Sequence, residues 1–512
     1  AHPLDVGKLG ARGQNKFALD FEFVGTGTHA KERSGVQVFG CTLQVAPFRY
    51  KIANPVRGNI FERGTDDPRT ALDVIANVDN AKGSVEIEIV DAYWRTLKKG
   101  RKPFALAKAG DTEHFDLNLS KFDLGWYGLN YTFLDEKDNV VTRHSAAFTI
   151  LAPDDREAGY DSPYACWPLL DGYHGANPKR TEQLDVMRKA GYRKSWHVPA
   201  TNEVAGLPWK VTRASVGLGH MQPGRPSKTR EGFEKRLDAA VAAYREEFEK
   251  YPHCEVIQLL HEQGGRDLCD ELYFDRPAVR GKYRGWDFDT PGLSDKERGD
   301  WEVFFCTEYA KRMRKEFPTK RIMIGNGSSA SEKVASLMRR GFDLDLVDQL
   351  GIESKGFQTM PELASNREAP GMLWALRETG YVFGYSNFTM NACNEYVFRP
   401  ERPYHVAREV PVRDLFQVTD FTLRDYLVSL AHGCDIISTG HLEDCNDAYY
   451  DTNWGKGGQC TFYPFSYPKR MFTALAVLTR VIDCPQFLRR VPTGEPSTYA
   501  LEFIRQMNYD GR

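Results

Sequence analysis

The chain has 512 residues, which is too long for one ordinary domain, so two large units are expected. Its 68 lysines and arginines nearly balance its 70 aspartates and glutamates, and the net charge of -2 gives no reason to expect nucleic acid or an anionic membrane as a partner. No apolar run approaches the roughly 20 residues that cross a bilayer. We therefore expect a neutral or mildly charged small molecule or polymer as the partner.

Residues from about 15 to 153 show a period-2 alternation of apolar and polar side chains. The clearest segments are Phe17–Phe23, Val85–Ile89, Tyr127–Leu134 and Val140–Leu151. One face of each segment is apolar and the other is polar, which is typical of an antiparallel sheet with one buried face. The pattern predicts an N-terminal antiparallel β-sandwich over residues 1–156.

After residue 160 the pattern changes to short apolar runs that alternate with amphipathic helices. This alternation predicts a parallel sheet built from strand–helix units. The predicted strands are Tyr164–Leu170, Tyr192–His197, Val216–His220, Cys254–Glu262, Arg321–Gly325, Leu346–Ile352, one between 381 and 396, and Cys434–Ser438. The predicted helices include 181–190, one with an apolar face from Phe233 to Phe248, 301–317 and one around 372–379.

About eight strand–helix units are the number found in a (β/α)8 barrel, and we predict such a TIM barrel over residues 157–490. Glycines 191, 341, 380 and 433 fall between a helix and the next strand, where a left-handed cap is expected. The alternative is a doubly wound open sheet. It is disfavoured because neither a Gly-x-Gly-x-x-Gly motif nor a P-loop follows the first strand. The predicted fold class is therefore multidomain, β plus α/β.

The two ends of the chain give further expectations. Residues 491–512 contain a predicted strand, Ser497–Ile504, which is not stable alone and is expected to join a β-sandwich or to begin a further one in a longer chain. The first residues, Ala1–Asp5, contain no apolar signal core. We expect a secreted or periplasmic protein whose signal peptide has already been removed.

Three glutamates end apolar runs of the predicted barrel: Glu262, Glu353 and Glu395. The chemistry of such barrels lies at the carboxyl ends of the strands, which makes these residues the candidates for catalysis. Glu353 is alternatively expected to bind substrate or to pair with Lys355.

Several motifs resemble clan A glycoside hydrolases, in particular family 39 β-xylosidases and related β-glycosidases. Cys254–Gln263 resembles their fourth strand, which ends in Asn-Glu, and His261 stands here in place of the asparagine. Met390–Tyr396 resembles their seventh strand, which ends in Thr-Glu-aromatic. Leu427–Asp435 and Tyr467–Leu478 are similar to the eighth unit and its closing helix, so the resemblance extends from about residue 160 to 505.

The resemblance implies Glu262 as the general acid/base and Glu395 as the nucleophile, with Glu353 as the competing nucleophile. Retaining glycoside hydrolysis needs two such carboxyl groups about 5 to 5.5 Å apart. It also implies a substrate-binding role for His261, which replaces an asparagine that bonds the sugar 2-hydroxyl. The further expected substrate-binding residues are Glu353, Asn394, Tyr396, His197, His220, Trp167 and Trp454. The histidines have no recognisable ligand spacing, so neither a metal nor another cofactor is predicted.

The sequence thus predicts a retaining glycoside hydrolase that cleaves β-glycosidic bonds of a poly- or oligosaccharide by double displacement. The expected partner is the carbohydrate substrate, with no nucleic acid and no membrane, and the pattern does not indicate an oligomeric state. One alternative is a non-catalytic carbohydrate-binding protein on a TIM-barrel scaffold, which the replacement by His261 favours. Another is a barrel isomerase or lyase, which would require a metal or phosphate site.

Overall fold

The computed structural model describes the chain in segments that fall into two compact units. The first unit contains 46–154 together with described residues between 443 and 477; the second contains described residues from 163 to 392, from 419 to 442 and from 478 to 505. The described residues are 46–53, 57–154, 163–166, 180–195, 212–213, 215–217, 230–250, 256–259, 278–283, 286–291, 295–325, 337, 339–354, 388–392, 419, 423–424, 426–427, 430–431, 434–439, 442–443, 459–461, 466–482, 485–495, 498 and 500–505.

The first unit is built from eight strands over its described N-terminal part. They are β1 (Phe48–Ala53), β2 (Ile60–Glu62), β3 (Arg69–Ala76), β4 (Ala81–Val90), β5 (Thr96–Leu106), β6 (Thr112–Asn118), β7 (Gly125–Asp135) and β8 (Val140–Leu151). One sheet has the order β1-β3-β6 and the other β2-β8-β7-β4-β5. The predicted segments Val85–Ile89, Tyr127–Leu134 and Val140–Leu151 are confirmed as strand, whereas Phe17–Phe23 lies outside the described residues.

The two sheets of the first unit share one hydrophobic core, as in a sandwich. Its members come from both sheets, for example Leu72 and Val74 from β3 and Leu129 and Phe133 from β7, all fully buried. Burial alternates along β3, which is the physical basis of the sequence pattern. The sheets differ from the expectation in one pair, because β2 runs parallel to β8.

The segment that follows residue 442 completes the core of the first unit. Tyr467 is buried in the same cluster as the strands. The indole nitrogen of Trp126 donates to the carbonyl oxygen of Pro468 at 2.7 Å, and the hydroxyls of Thr473 and Thr149 bond at 3.0 Å. The unit is therefore discontinuous in sequence, and its residues 46–154 pack around residues that come more than 300 positions later.

A buried ion pair joins the same two parts of the first unit. The guanidinium of Arg57 donates to the carboxylate of Glu443 and, at 3.1 Å, to the hydroxyl of Ser466. The side chains of Arg57 and Glu443 are 9% and 6% exposed. The next residue, Gly58, has φ +63°, and a Cβ atom there would lie 2.2 Å from the carbonyl oxygen of Ser466. This close approach explains why glycine occupies position 58.

The second unit contains a sheet whose strands all run parallel. They are β9 (Tyr164–Cys166), β10 (Lys194–Ser195), β11 (Thr212–Arg213), β12 (Ser215–Gly217), β13 (Val256–Leu259), β16 (Arg321–Gly325), β17 (Gln349–Ser354), β18 (Phe388–Ala392) and β19 (Cys434–Thr439). The sheet order is β11-β10-β9-β19-β18-β17-β16-β13-β12. Its two end members, β11 and β12, are separated in the chain by residue 214 alone.

The predicted strands of the second unit are confirmed in position where their residues are described. Two antiparallel pairs accompany the parallel sheet: β14 (Ala278–Tyr283) with β15 (Trp286–Pro291), and β20 (Pro485–Val491) with β21 (Ala500–Arg505). The first pair lies in the predicted insertion after residue 264. The second gives the predicted C-terminal strand a partner that the sequence pattern did not reveal.

Helices in the described part of the chain include α1 (Arg180–Lys189), α2 (Arg230–Lys250), α3 (Asp295–Glu316) and α4 (Arg470–Val481). The buried positions of α2, Phe233, Leu237, Val241 and Tyr244, recur at helical spacing, as predicted. Gly191 and Gly341 adopt φ +82° and +89°, which confirms two of the four expected left-handed caps, and glycines 380 and 433 lie outside the described residues. No described helix combines the length and the apolar character needed to span a membrane.

Candidate active site at the carboxyl edge of the parallel sheet

The carboxyl ends of the parallel strands meet at one edge of the sheet, and Glu353 lies there. It is the last but one residue of β17 and pairs in register with Asn391 of β18. Asn391 in turn pairs with Ser438 of β19. Glu353, Asn391 and Ser438 therefore occupy adjacent positions of one register row near the ends of three neighbouring strands.

A buried cluster identifies the face of the sheet to which this row belongs. Ala165 of β9, Val256 of β13 and Met323 of β16 contact one another and are at most 1% exposed. Successive residues of a strand alternate between the two faces, and paired residues of neighbouring parallel strands share a face. The cluster can therefore be used as a reference for the strands between its members.

Two independent routes place Glu353 on the face of this cluster. From Ala165 the register runs through Ser438 and Asn391 to Glu353. From Met323 it runs to Gln349 of β17, and Glu353 follows Gln349 by an even number of residues. Both routes agree, so Glu353, Asn391 and Ser438 lie on the same face as the buried cluster.

The two predicted catalytic glutamates lie just beyond described strands. Glu262 follows Leu259, the last residue of β13, by three positions, and Glu395 follows Ala392, the last residue of β18, by three positions. Both glutamates lie outside the described residues. So do the other predicted site residues His197, His220, His261, Asn394, Tyr396, Trp167 and Trp454. The structure thus places one predicted residue, Glu353, and the pairing of Glu262 with Glu395 stays a prediction.

Asn391 and Ser438 are polar residues that the sequence analysis did not single out. Each lies in an otherwise largely apolar strand, within Phe-Thr-Met-Asn-Ala and Cys-Asp-Ile-Ile-Ser-Thr. Alternation along a strand shows which residues of that strand share a face. Only the register between strands shows that Asn391 and Ser438 share a row with Glu353. Amide and hydroxyl groups can donate and accept hydrogen bonds, as recognition of sugar hydroxyls requires. Within the described segments, no group of three or more His, Cys, Asp or Glu side chains is arranged to hold a metal ion.

Comparisons with known proteins give similarity to solved structures only. No protein-family model matches the sequence, and no curated protein sequence matches it significantly. A β-glucuronidase from Bacteroides uniformis superposes with a TM-score of 0.39 and 11% identity over 86% of this chain and 51% of that chain. A putative β-galactosidase from Bacteroides fragilis gives a TM-score of 0.35 and 9% identity over 86% of this chain and 61% of that chain.

A third similar structure is a glycosyl hydrolase family 2 member from Bacteroides cellulosilyticus, with a TM-score of 0.31 and 11% identity over 82% of this chain and 49% of that chain. The chain spans about half the length of the β-glucuronidase. At these TM-scores and identities the superpositions do not define the activity of this chain. Its function is therefore inferred from its own residues.

Proposed function

We propose that the chain is a retaining glycoside hydrolase that cleaves β-glycosidic bonds of a poly- or oligosaccharide. Glu262 is the general acid/base and Glu395 the nucleophile. The observation that supports the proposal is that each glutamate follows the carboxyl end of a parallel strand by three residues in the sequence, and that Glu353 lies near the carboxyl end of another strand of the same sheet. The proposed enzyme uses no cofactor, and its proposed location is outside the cell or in the periplasm.

The proposed scaffold is a closed (β/α)8 barrel, and two observations support closure. The end members β11 and β12 belong to one short segment, Thr212–Gly217, which pairs with β10 through its first part and with β13 through its second. In addition, Ala165 packs against Val256 and Met323, although β9 is separated from β13 and β16 by several strands along the sheet. Such contacts across a sheet are expected when it curls until its two edges meet.

Alternation supports a common face for the proposed catalytic pair. Position 262 follows Val256 by six residues, and position 395 follows Asn391 by four. Both separations are even, so each glutamate would share the face of the buried cluster if its strand geometry continued. In a closed barrel this face is the interior, and carboxyl groups at the ends of the fourth and seventh strands would then face each other across the mouth.

The chemistry follows from this arrangement. Glu262 protonates the leaving oxygen while the carboxylate of Glu395 attacks the anomeric carbon and forms a covalent glycosyl-enzyme. Water, deprotonated by Glu262, then attacks the same carbon, and Glu395 leaves. Two inversions give net retention of configuration. Glu353, Asn391 and Ser438 would bind hydroxyl groups of the sugar and so position it beside Glu262 and Glu395.

Rescue kinetics test the two roles. Glu262→Ala should still form the glycosyl-enzyme from an aryl β-glycoside with a good leaving group, because departure then needs no proton, and azide should accelerate its turnover. Glu395→Ala should be inactive on the same substrate without azide, and a glycosyl azide of retained configuration from Glu395→Ala in place of Glu262→Ala would mean that the roles are exchanged. A product anomer of inverted configuration in proton NMR would refute the double displacement.

A second candidate is a non-catalytic carbohydrate-binding protein on the same scaffold. The replacement of the family's asparagine by His261 favours it, since that asparagine bonds the sugar 2-hydroxyl in the enzymes that the sequence resembles. Hydrolysis of any aryl β-glycoside by the purified chain, lost in Glu395→Gln, excludes this candidate. Binding of an oligosaccharide without any hydrolysis would support it.

A further inference from the structure

The hairpin formed by β4 and β5 concentrates positive charge at an edge of the first unit. Within the described strands β5 pairs only with β4, and all of its residues from Thr96 to Pro103 are exposed. The sequence from Ala92 to Gly110 contains six lysines and arginines and no acidic residue, in a chain whose net charge is -2. Basic residues are thus concentrated in this segment of the sequence.

Acidic neighbours neutralise only part of this charge. Arg95 pairs with Asp91 at 2.7 Å, Lys99 lies 3.7 Å from Glu86, and Arg101 pairs with Asp138. Lys98 and Lys102 have no acidic partner among the residues that the structure describes. They share one face of β5, about 13 Å apart at the usual rise of a strand. Lys99 and Arg101 lie on the opposite face of β5, where both have acidic partners. Excess positive charge therefore lies on the face that carries Lys98 and Lys102.

An exposed aromatic ring lies at the start of this charged edge. Tyr93 is 68% exposed, and the guanidinium of Arg95 lies 5.3 Å from its ring centre. The turn that carries both is well ordered by hydrogen bonds, because the carboxylate of Asp91 accepts from the backbone nitrogens of Tyr93 at 2.9 Å and Arg95 at 3.0 Å. The guanidinium of Arg470 donates to the carbonyl oxygen of Ala92 at 3.3 Å. The ring is therefore presented on a fixed support.

We propose that Tyr93, Arg95, Lys98 and Lys102, the basic hairpin surface, bind a linear polysaccharide that carries carboxylate or sulfate groups. The cations pair with the anionic groups, and the flat ring of Tyr93 stacks on a sugar face. This inference rests on the proposed function in one respect: a chain that cleaves glycosidic bonds has a glycan as its substrate, and an anionic glycan fits this surface. The glycan is preferred over the other polyanions, nucleic acid and anionic membranes, because the proposed substrate of the chain is itself a glycan.

Binding of polygalacturonate to the full chain tests the proposal by titration calorimetry at two salt concentrations. Lys98→Gln/Lys102→Gln and Tyr93→Ala should each weaken binding about tenfold, and salt should weaken binding to the unmodified chain. The matched control is Lys51→Gln/Lys121→Gln, which removes the same charge from two exposed lysines of the same unit and should change affinity less than twofold. All of these side chains are exposed, so the variants should fold normally.

The outcomes separate this surface from nonspecific attraction and from the proposed catalysis. Equal loss in the two double variants, or tighter binding of single-stranded DNA or anionic vesicles than of polygalacturonate, overturns the proposal. Absence of any binding also overturns it and leaves only the ordinary role of lysines on an edge strand, which is to prevent pairing between edges. Binding is measured without turnover, so a chain that binds polygalacturonate but hydrolyses no aryl β-glycoside would contradict the proposed function and leave the binding surface intact.

Discussion

His144 of β8 makes the stability of the first unit depend on pH. Its ring nitrogens lie 3.3 Å from the hydroxyl oxygens of Tyr50 and Tyr467, and burial lowers the pKa of the imidazole to about 4. The folded unit therefore binds the proton less tightly than the unfolded chain, in which the pKa is about 6.5. The contribution of the neutral imidazole to the free energy of unfolding is fully present above pH 6.5, and it is lost as the pH falls toward 4.

The expected magnitude follows from the difference between the two pKa values. At pH 4 the unfolded chain is protonated at this position and the folded unit is half protonated, so about 3 kcal/mol of stability is lost relative to pH 7.5. At pH 5 the corresponding loss is about 2 kcal/mol. For a unit of this size, 1 kcal/mol corresponds to a shift of about 2 to 4 °C in Tm, which gives about 6 to 12 °C at pH 4.

Scanning calorimetry at pH 7.5, 5 and 4 measures this loss. The variant His144→Gln keeps a polar side chain that does not titrate, so its Tm should fall about 6 to 12 °C less between pH 7.5 and 4 than that of the unmodified chain. Carbon-13 NMR of labelled histidine should show one resonance that titrates near pH 4 and is missing from the variant.

His114 is a control with the opposite sign. Hydrogen bonds to Asp73 and Asp116 raise the pKa of this exposed imidazole. Its contribution to the free energy of unfolding is therefore present below the pKa that the imidazole has in the unfolded chain. It is lost as the pH rises through the pKa that the imidazole has in the folded unit. His114→Gln should not reduce the acid sensitivity of the unit. An equal fall in Tm for His144→Gln and the unmodified chain would refute the assignment to His144.

Three further predictions concern the glycine, the ion pair and the glutamate described above. Gly58→Ala should destabilise the first unit by several kcal/mol in urea unfolding. Gly64 also has a positive φ, +86°, but open space around it, so Gly64→Ala should cost only about 1 kcal/mol. Equal losses of stability in the two variants would exclude the steric clash at position 58. Arg57→Ala should cost about 3 to 5 kcal/mol because it leaves the carboxylate of Glu443 buried without this partner, and a loss under 1 kcal/mol would contradict this. Glu353→Gln should raise KM and keep kcat within about tenfold, since binding is then lost equally in ground and transition states. Labelling of Glu353 by a 2-fluoro glycoside would instead identify it as the nucleophile.

Local patterns were sufficient to predict several elements of each unit. The strand pair β7 and β8 was recognised because one face of each strand is buried, and α2 because its buried residues recur every three or four positions. The hairpin partner of β21 was missed because β20 is largely exposed and carries little apolar alternation. Burial, and therefore the sequence signal, is weak in such a two-stranded sheet.

Such local patterns do not predict contacts between parts of the chain that are distant in sequence. Nothing in the segment around Tyr467 shows that its ring belongs to a core of strands more than 300 residues earlier. The same limit applied to the candidate site. Glu353 was found because it ends an apolar run, whereas its neighbours Asn391 and Ser438 are recognisable only through the register of three strands.

The discontinuity of the first unit has a consequence for synthesis on the ribosome. Tyr467 follows His144 by 323 residues, so at about 5 to 20 residues per second it is made roughly 15 to 65 s later. During that interval the eight strands have emerged, but the residues that fill their core and bond Trp126 have not been made. Until then the apolar surface of the nascent strands stays exposed, and chaperones bind such surfaces. The N-terminal strands are translated first. We therefore expect them to reach their final fold only after the parallel sheet of the second unit has been translated.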